Sequence, residues 1–230
     1  MIKDYGTEAF TGRARAYVMA RPGYPDEAIE YIRGLAPVDA VFADVGAGTG
    51  KLTELIAGYG YEIFAVEPNA DMREQLAITL APFSNARIVD GLAEATTLAD
   101  HSVDVITCAQ TLNRVDIDAF RIECQRISKL EPIVVSLYNY NPDEMESVLR
   151  YEKSTGAFYR NPVVKEFSNP IFLTRDKWIL YFSSMEGVPR KGDLGYEKHI
   201  AEINEIFDRD NVGGVLCLNL VTKVYSEKLS

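Results

Sequence analysis

Short runs of β-branched and other apolar residues alternate with longer amphipathic segments along most of the chain. The short runs are typical of buried strands because turn residues bound them, and the longer segments are typical of helices because their apolar residues recur every three or four positions. Strands are predicted at residues 41–45, 61–66, 86–90, 103–108, 132–138 and 215–225. Helices are predicted at residues 50–57, 69–80, 117–129, 143–158, 174–183 and 195–208.

The alternation of strands and helices from about residue 41 onward is the pattern of βαβ units, which build parallel sheets. The chain is therefore expected to be an α/β protein. Its length of 230 residues favours a single domain over 1–230. Within that domain, residues 142–210 are expected to form a helical insertion or substrate-side region, with turns concentrated at 161–170 and 186–193.

The residues before the first strand form a separate predicted unit. A helical segment is followed by the break Pro22-Gly23-Tyr24-Pro25, and a second helix opens at Asp26 with acidic residues in its first turn. This second helix is expected to pack on the sheet. Residues 1–25 are then left to cover another part of the molecule, and we predict that they act as a lid.

The charge balance changes the expected partners. The chain has 24 Lys and Arg against 34 Asp and Glu, a net charge of −10. A polyanion such as DNA or RNA would meet an unfavourable mean field. We therefore expect a small-molecule acceptor and no nucleic acid, while the oligomeric state is left open between monomer and homodimer.

The cysteines and the hydropathy pattern indicate in which cellular compartment the protein is expected. Cys108, Cys124 and Cys217 are an odd number without a CxxC pair or neighbouring histidines, which argues against a disulfide framework and against a zinc site. No metal site is predicted. The sequence has no run of about 18 apolar residues, and its first 15 residues include charged side chains and no apolar run. A cytoplasmic protein that does not span a membrane is expected.

The most informative segment is a strand that runs directly into a glycine-rich turn and then into a helix. Gly46, Gly48 and Gly50 occupy this turn, between Val45 and Lys51. Glycine adopts positive φ at little cost and allows backbone to approach a ligand closely. The pattern therefore predicts that a ligand lies across the turn.

Acidic residues follow at the ends of three successive predicted strands. Glu67 ends the second strand, 19 residues after Gly48, where a carboxylate can accept both hydroxyls of a ribose. Asp44 lies near the end of the first strand, in reach of a ligand amino group or of the turn itself. The acidic segment 90–94 follows the third strand, where an adenine would lie. Together they indicate a nucleoside site.

Two other nucleotide motifs fit less well. A phosphate-binding P-loop would need glycine at Val45 and a hydroxyl residue at Leu52. The dinucleotide fingerprint would need glycine at Lys51. An NAD-type oxidoreductase remains an alternative, as does a binding module without catalytic activity.

With these residues in view, the sequence resembles the class I S-adenosylmethionine (SAM)-dependent methyltransferases, in particular the type 11, small-molecule branch with the pattern D-x-G-x-G-T-G-x-L-T. The resemblance implies a Rossmann-like, doubly wound, mostly parallel seven-stranded sheet with helices on both faces, and SAM as cofactor. It covers nearly the whole chain. The segments that carry it are Phe10, 13–14, Tyr17, 21–22, 24–25, 44–53, 65–72, 91–96, 102–106, 109–110, 120–127, 183–184 and 216–225.

The resemblance also implies a role for individual residues. The methionine part of SAM would lie over 46–50, the ribose on Glu67 and the adenine between Pro68 and the Ala93 backbone. Residues 108–110 would line the floor near the sulfonium, and Tyr17 and Arg21 would close over the cofactor, Arg21 pairing with its carboxylate. The predicted cofactor-binding residues are Tyr17, Arg21, Asp44, Gly46, Ala47, Gly48, Thr49, Gly50, Glu67, Pro68, Leu92, Ala93, Cys108, Ala109 and Gln110.

Two positions depart from the family pattern. Leu92 stands where many relatives have a polar residue that binds the adenine amino group, and Asn113-Arg114 stand where close relatives often have a His-Trp pair. A histidine base is thus missing, but methyl transfer from a sulfonium requires chiefly orientation and exclusion of water. The candidate acceptor-facing residues are Asn113, Arg114, Tyr138 and Asn139, at the ends of the fourth and fifth strands.

Overall fold

The computed structural model describes residues 18, 21–185, 187–189 and 191–229, without the side chains of 131–132 and 145–147. The strands of this part are β1 (Val41–Val45), β2 (Glu62–Val66), β3 (Ala86–Val89), β4 (Val103–Ala109), β5 (Ser128–Tyr140), β6 (Val163–Thr174) and β7 (Val215–Lys228). Its helices are α1 (Asp26–Leu35), α2 (Lys51–Gly58), α3 (Ala70–Leu80), α4 (Ile117–Ile127), α5 (Met145–Phe158), α6 (Arg175–Ser183) and α7 (Tyr196–Asp210), with a 3₁₀ turn at Leu112–Arg114. None of the helices in these ranges is long and apolar enough to cross a bilayer.

The strands form one seven-stranded sheet in the order β3-β2-β1-β4-β5-β7-β6. β1 to β5 run parallel, whereas β7 is antiparallel to both of its neighbours, β5 and β6. The predicted Rossmann-like α/β fold is confirmed. The strand order reverses between β1 and β4, and ligands of open α/β sheets bind at the carboxyl ends of the strands on either side of such a point.

Apolar side chains cover both faces of the central strands. On one face, Ala28, Ile29 and Ile32 of α1 pack with residues of β1 and α2, which confirms that this helix packs on the sheet. On the other face, Phe120 of α4 and Phe158 of α5 pack with residues of β4 and β5. Burial on both faces explains why the parallel strands are continuous apolar runs in the sequence.

The main error of the sequence prediction is β6, because residues 161–170 were expected to be turns. β6 forms the outer edge of the sheet, and its residues 163–166 and Pro170 are exposed. Residues 163–166 are exposed on both faces and so lack the alternation by which strands are recognised, and proline is tolerated at a sheet edge. The segment 142–210 therefore contains a strand of the main sheet as well as helices. α4 also ends at Ile127, two residues earlier than predicted, and β5 begins at Ser128.

Candidate active site

The glycine turn joins β1 to α2 and is attached to the end of β2. Gly46, Gly48 and Gly50 have φ angles of 72°, 58° and 91°, in the left-handed region. The amides of Gly46 and Ala47 donate to the carbonyl oxygen of Val66 at 2.9 and 3.0 Å. The turn is thus held at the carboxyl ends of two adjacent strands.

Gly46 and Gly48 are required for different reasons. A Cβ atom on Gly46 would lie 2.4 Å from Oγ1 of Thr111, so this glycine allows the turn to pack against the residues that follow β4. A Cβ atom on Gly48 would meet no described atom within 4 Å, and Gly48 lines a cavity. The space beside Gly48 is therefore open, and the binding of a ligand across this turn stays a prediction.

A cavity of about 280 Å³ lies beyond the glycine turn, at the carboxyl ends of β1, β4 and β5. The structure brings most of the predicted site residues together in its wall. Those in the wall are Arg21, Asp44, Gly46, Ala47, Gly48, Thr49, Ala109, Gln110, Asn113, Arg114, Tyr138 and Asn139. Those outside it are Gly50, Glu67, Pro68, Leu92, Ala93 and Cys108, and Tyr17 is not among the residues that the structure describes.

Glu67 lies next to this wall, at the end of β2. Its Oε2 accepts a hydrogen bond from the Gly48 amide at 2.8 Å, and its Oε1 accepts one from the Asn69 amide at 2.9 Å. Burial raises the pKa of Glu67, and the two backbone N–H donors partly offset that rise. Each carboxylate oxygen can accept a second hydrogen bond. The carboxylate is therefore held in place with acceptor capacity for ribose hydroxyls.

The ends of β2 and β3 are joined by Arg73, which sequence reasoning did not identify. Its guanidinium donates to the carbonyl oxygens of Glu67 and Pro68 at 2.8 and 2.6 Å and pairs with Asp90 at 2.8 Å. Asp90 opens the predicted adenine loop, in which Ala93 is buried. Arg73 thus fixes the Glu67-Pro68 backbone relative to this loop. An arginine in the first turns of the helix that follows such a carboxylate is a signal that could have found it.

Asp44 connects three elements from the wall of the cavity. Its carboxylate accepts hydrogen bonds from the hydroxyls of Thr53 in α2 at 2.6 Å and Thr107 in β4 at 2.9 Å. Burial raises the pKa of Asp44 to about 6, although both hydroxyl donors act in the opposite direction. These contacts tie the end of β1 to α2 and β4, and both roles predicted for Asp44 stay predictions.

The raised pKa of Asp44 predicts a pH-dependent stability difference between the wild type and Asp44→Asn. The folded state binds the Asp44 proton more tightly than the unfolded state does between about pH 4 and pH 6. The contribution of Asp44 to the free energy of unfolding should therefore fall as the pH rises through this window, by at most about 1.4 kcal/mol per pH unit. Asparagine does not titrate, so the variant should gain in stability relative to the wild type from pH 4 to pH 6. Urea unfolding at several pH values checks this, and a constant difference would contradict it.

Two further side chains lie behind or within the wall. Cys108 is fully buried in the core, and burial raises the pKa of its thiol above the ordinary range. Its side chain therefore faces away from the cavity, whereas the next residues, Ala109 and Gln110, line it. Thr49 is also buried, and its Oγ1 makes no hydrogen bond within the described part of the chain. A buried hydroxyl without a partner in a cavity wall fits a polar ligand.

The fold of this chain is shared by solved methyltransferases. A candidate type II methyltransferase from Anaeromyxobacter dehalogenans is similar with a TM-score of 0.67 at 18% sequence identity, covering 90% of this chain and 97% of that chain. A SAM-dependent methyltransferase from Aquifex aeolicus is similar with a TM-score of 0.53 at 14% identity, covering 94% of this chain and 98% of that chain.

Sequence comparison relates part of the chain to a methyltransferase family. A family model described as a methyltransferase domain matches residues 43–135, a range that contains the glycine turn, Glu67 and the predicted adenine loop. Residues 43–135 of the chain are thus similar to the methyltransferase domain family. An uncharacterized methyltransferase from Mycobacterium bovis is 38% identical to the chain over 108 residues, which are 47% of this chain and 42% of that protein. The chain thus matches less than half the length of this curated relative.

As in other open α/β sheets, the cavity also has residues from parts of the chain that are distant in sequence. Sequence reasoning did not predict Pro22, Tyr24, Lys51, Leu52, Tyr140, Asn141, Glu144, Tyr181, Met185 and Leu220 as site residues, although all line the cavity. Lys51 donates to the carbonyl oxygen of Val18 at 3.0 Å, and burial lowers its pKa. Tyr24 and Lys51 belong to the segments that carry the family resemblance, whereas no local signal marks Tyr181, Met185 or Leu220.

The predicted acceptor-facing residues differ in their environment. The Tyr138 ring stacks on Tyr151 with a centroid distance of 4.1 Å and an interplanar angle of 7°. Asn113 and Arg114 lie in the 3₁₀ turn that follows β4. The amide of Asn139 is bound at both ends, because it donates to the Gly23 carbonyl at 2.9 Å and accepts from the Thr222 hydroxyl at 2.5 Å.

Proposed function

We propose that this chain transfers a methyl group from SAM to a small-molecule acceptor. The observation that carries the proposal is the position of Gly48. Its amide donates to the Glu67 carboxylate at 2.8 Å, a Cβ atom on it would meet no described atom within 4 Å, and the residue lines the cavity. A nucleoside ribose bound by Glu67 would therefore continue directly into the space over the glycine turn.

The donor half of the proposed site comprises the ends of β1, β2 and β3. Glu67 would accept the ribose hydroxyls, and the adenine would lie between Pro68 and the Ala93 backbone. The methionine part would lie over residues 46–50, where the buried Thr49 hydroxyl has hydrogen-bonding capacity to offer. Arg21, which lines the cavity, would pair with the carboxylate of the methionine part.

The acceptor half of the proposed site comprises the residues after β4 and β5. When bound, SAM supplies a methyl group on a sulfonium that is open to in-line displacement. The protein contributes orientation of the acceptor and exclusion of water. Asn113, Arg114 and Tyr138 are the residues that we assign to orienting the acceptor, because they line the cavity at the ends of β4 and β5. A cavity of about 280 Å³ and a net charge of −10 both favour a small acceptor over a nucleic acid.

Calorimetric titration of one protein sample with SAM, S-adenosylhomocysteine and NAD tests the proposal. We expect micromolar or tighter binding of the first two ligands and no measurable binding of NAD. The reason is that Lys51 stands where a dinucleotide-binding turn requires its third glycine. Binding of NAD without binding of SAM would overturn the proposal in favour of an oxidoreductase.

A further inference from the structure

The cavity is bounded on one side by a short segment that precedes α1. Residues 21–25, which we call the strap, contribute Arg21, Pro22 and Tyr24 to the cavity wall. The strap has no regular secondary structure, so no ladder of backbone hydrogen bonds fixes its course. Its position must therefore depend on individual contacts to the rest of the chain.

The central contact of the strap is the carbonyl oxygen of Gly23. It accepts hydrogen bonds from Nδ2 of Asn139 at 2.9 Å and from Nδ2 of Asn169 at 3.1 Å. Asn139 lies in β5 and Asn169 in β6, 30 residues apart. Two side-chain amides from two strands of the sheet thus converge on one backbone atom of the strap.

Thr222 of β7, the strand between β5 and β6, orients both amides. Its hydroxyl donates to Oδ1 of Asn139 at 2.5 Å and accepts from Nδ2 of Asn169 at 3.1 Å. Because Oδ1 of Asn139 is occupied by this hydroxyl, the Nδ2 group of Asn139 points to the strap. We call the three side chains Asn139, Asn169 and Thr222 the amide clamp.

The amide clamp is continuous with the cavity. Asn139 itself lines the cavity, and its backbone carbonyl oxygen accepts a hydrogen bond from Nε2 of Gln110 at 3.2 Å. Gln110 is a cavity residue with a positive φ of 58°. At the other end of the strap, Nε of Arg21 donates to the Ser184 hydroxyl at 2.9 Å. Gly23 lies between Arg21 and Tyr24, so the clamp holds the middle of the strap.

We propose that Asn169 and Asn139 are positioning residues of the donor site, which hold the Gly23 carbonyl and so place Arg21 and Tyr24 in the cavity wall. The inference rests on the proposed function, since it assigns Arg21 to the donor. It gives Asn139, a candidate acceptor-facing residue from the sequence, a different role. It also adds Asn169, which lies in the strand that sequence reasoning missed.

The test compares Asn169→Ala and Asn169→Asp with the wild type by calorimetric titration with S-adenosylhomocysteine. Loss of one hydrogen bond should weaken binding about fivefold to tenfold in the alanine variant. The aspartate variant keeps the shape of the side chain but presents only acceptors to the Gly23 carbonyl, so its loss should be larger. In turnover, the KM for SAM should rise more than kcat falls.

Asn85→Ala is the matched control. The Nδ2 group of Asn85 also joins two segments, donating to the carbonyl oxygens of Ala57 and Tyr61 at 2.9 and 2.7 Å, but at the opposite end of the sheet. This variant should lose stability without a change in affinity for S-adenosylhomocysteine. Equal loss of affinity in Asn85→Ala would mean that the effect is global, and wild-type affinity in both Asn169 variants would mean that the clamp does not position the site. A wild type that binds no S-adenosylhomocysteine would instead refute the proposed function itself.

Discussion

Gly48→Val is expected to abolish the binding of SAM while leaving the far-UV circular dichroism spectrum close to that of the wild type. The valine side chain would extend into the space next to the cavity, which no described atom occupies within 4 Å of its Cβ position. A ligand over the glycine turn and this side chain would then compete for the same volume. Calorimetry with S-adenosylhomocysteine and a spectrum of the same sample measure both parts of the prediction.

The backbone strain of this substitution requires its own control, because φ at Gly48 is 58° and a β-branched residue is unfavourable there. Gly60 provides it. Its φ is 90°, a Cβ atom on it would also meet nothing within 4 Å, and it lies in an exposed turn between α2 and β2. Gly60→Val should therefore lose stability without losing affinity for the cofactor. Retained binding in Gly48→Val would mean that the glycine sequence serves only to form a turn.

Glu67→Ala is expected to weaken SAM binding by about 1.5 to 3 kcal/mol, because buried ribose hydroxyls would lose charge-assisted hydrogen bonds. The structure adds a second contribution. The Gly48 and Asn69 amides, which now donate to this carboxylate, would lose their partner, so the glycine turn itself would be less fixed. Calorimetric titration with SAM, together with urea unfolding, separates the loss of affinity from the loss of stability.

Two further variants sharpen the test of Glu67. Glu67→Gln keeps the shape of the side chain, but its amide nitrogen would face one of the two backbone N–H donors, so we expect it to lose affinity as well. Glu62→Ala removes a carboxylate from the exposed start of the same strand and should bind SAM as the wild type does. Unchanged affinity in Glu67→Ala would remove this residue from the site.

The parts of the fold that could be predicted from sequence are those in which local pattern and tertiary burial agree. β1 was predicted with the bounds that the structure has, since four of its five residues are buried and a glycine turn ends it. β6 could not be predicted for two reasons. Its first four residues, 163–166, are exposed on both faces, and its pairing with β7 joins residues that are far apart in sequence. Nothing within residues 161–170 indicates pairing with residues 49 to 63 positions further along the chain.

The residues of the candidate site also divide into those that sequence could predict and those that it could not. The glycine turn and Glu67 are close in sequence, and their spacing follows from one βαβ unit, so they could be predicted together. Tyr181, Met185 and Leu220 reach the cavity only because the chain returns through β6, α6 and β7. Cys108 shows why single residues of a strand are hard to assign to a site. Neighbouring residues of a strand point to opposite faces, and the sequence does not say which of them meets the cavity.

A crystal structure of the protein with S-adenosylhomocysteine tests the central claim most directly. We predict that both ribose hydroxyls lie within hydrogen-bonding distance of the Glu67 carboxylate, with the homocysteine part over residues 46–50 in contact with the Gly48 backbone. The sulfur atom should face the part of the cavity lined by Asn113 and Tyr138. A ligand bound elsewhere, or a ribose that makes no contact with Glu67, would contradict the assignment of this cavity as the donor site of a methyltransferase.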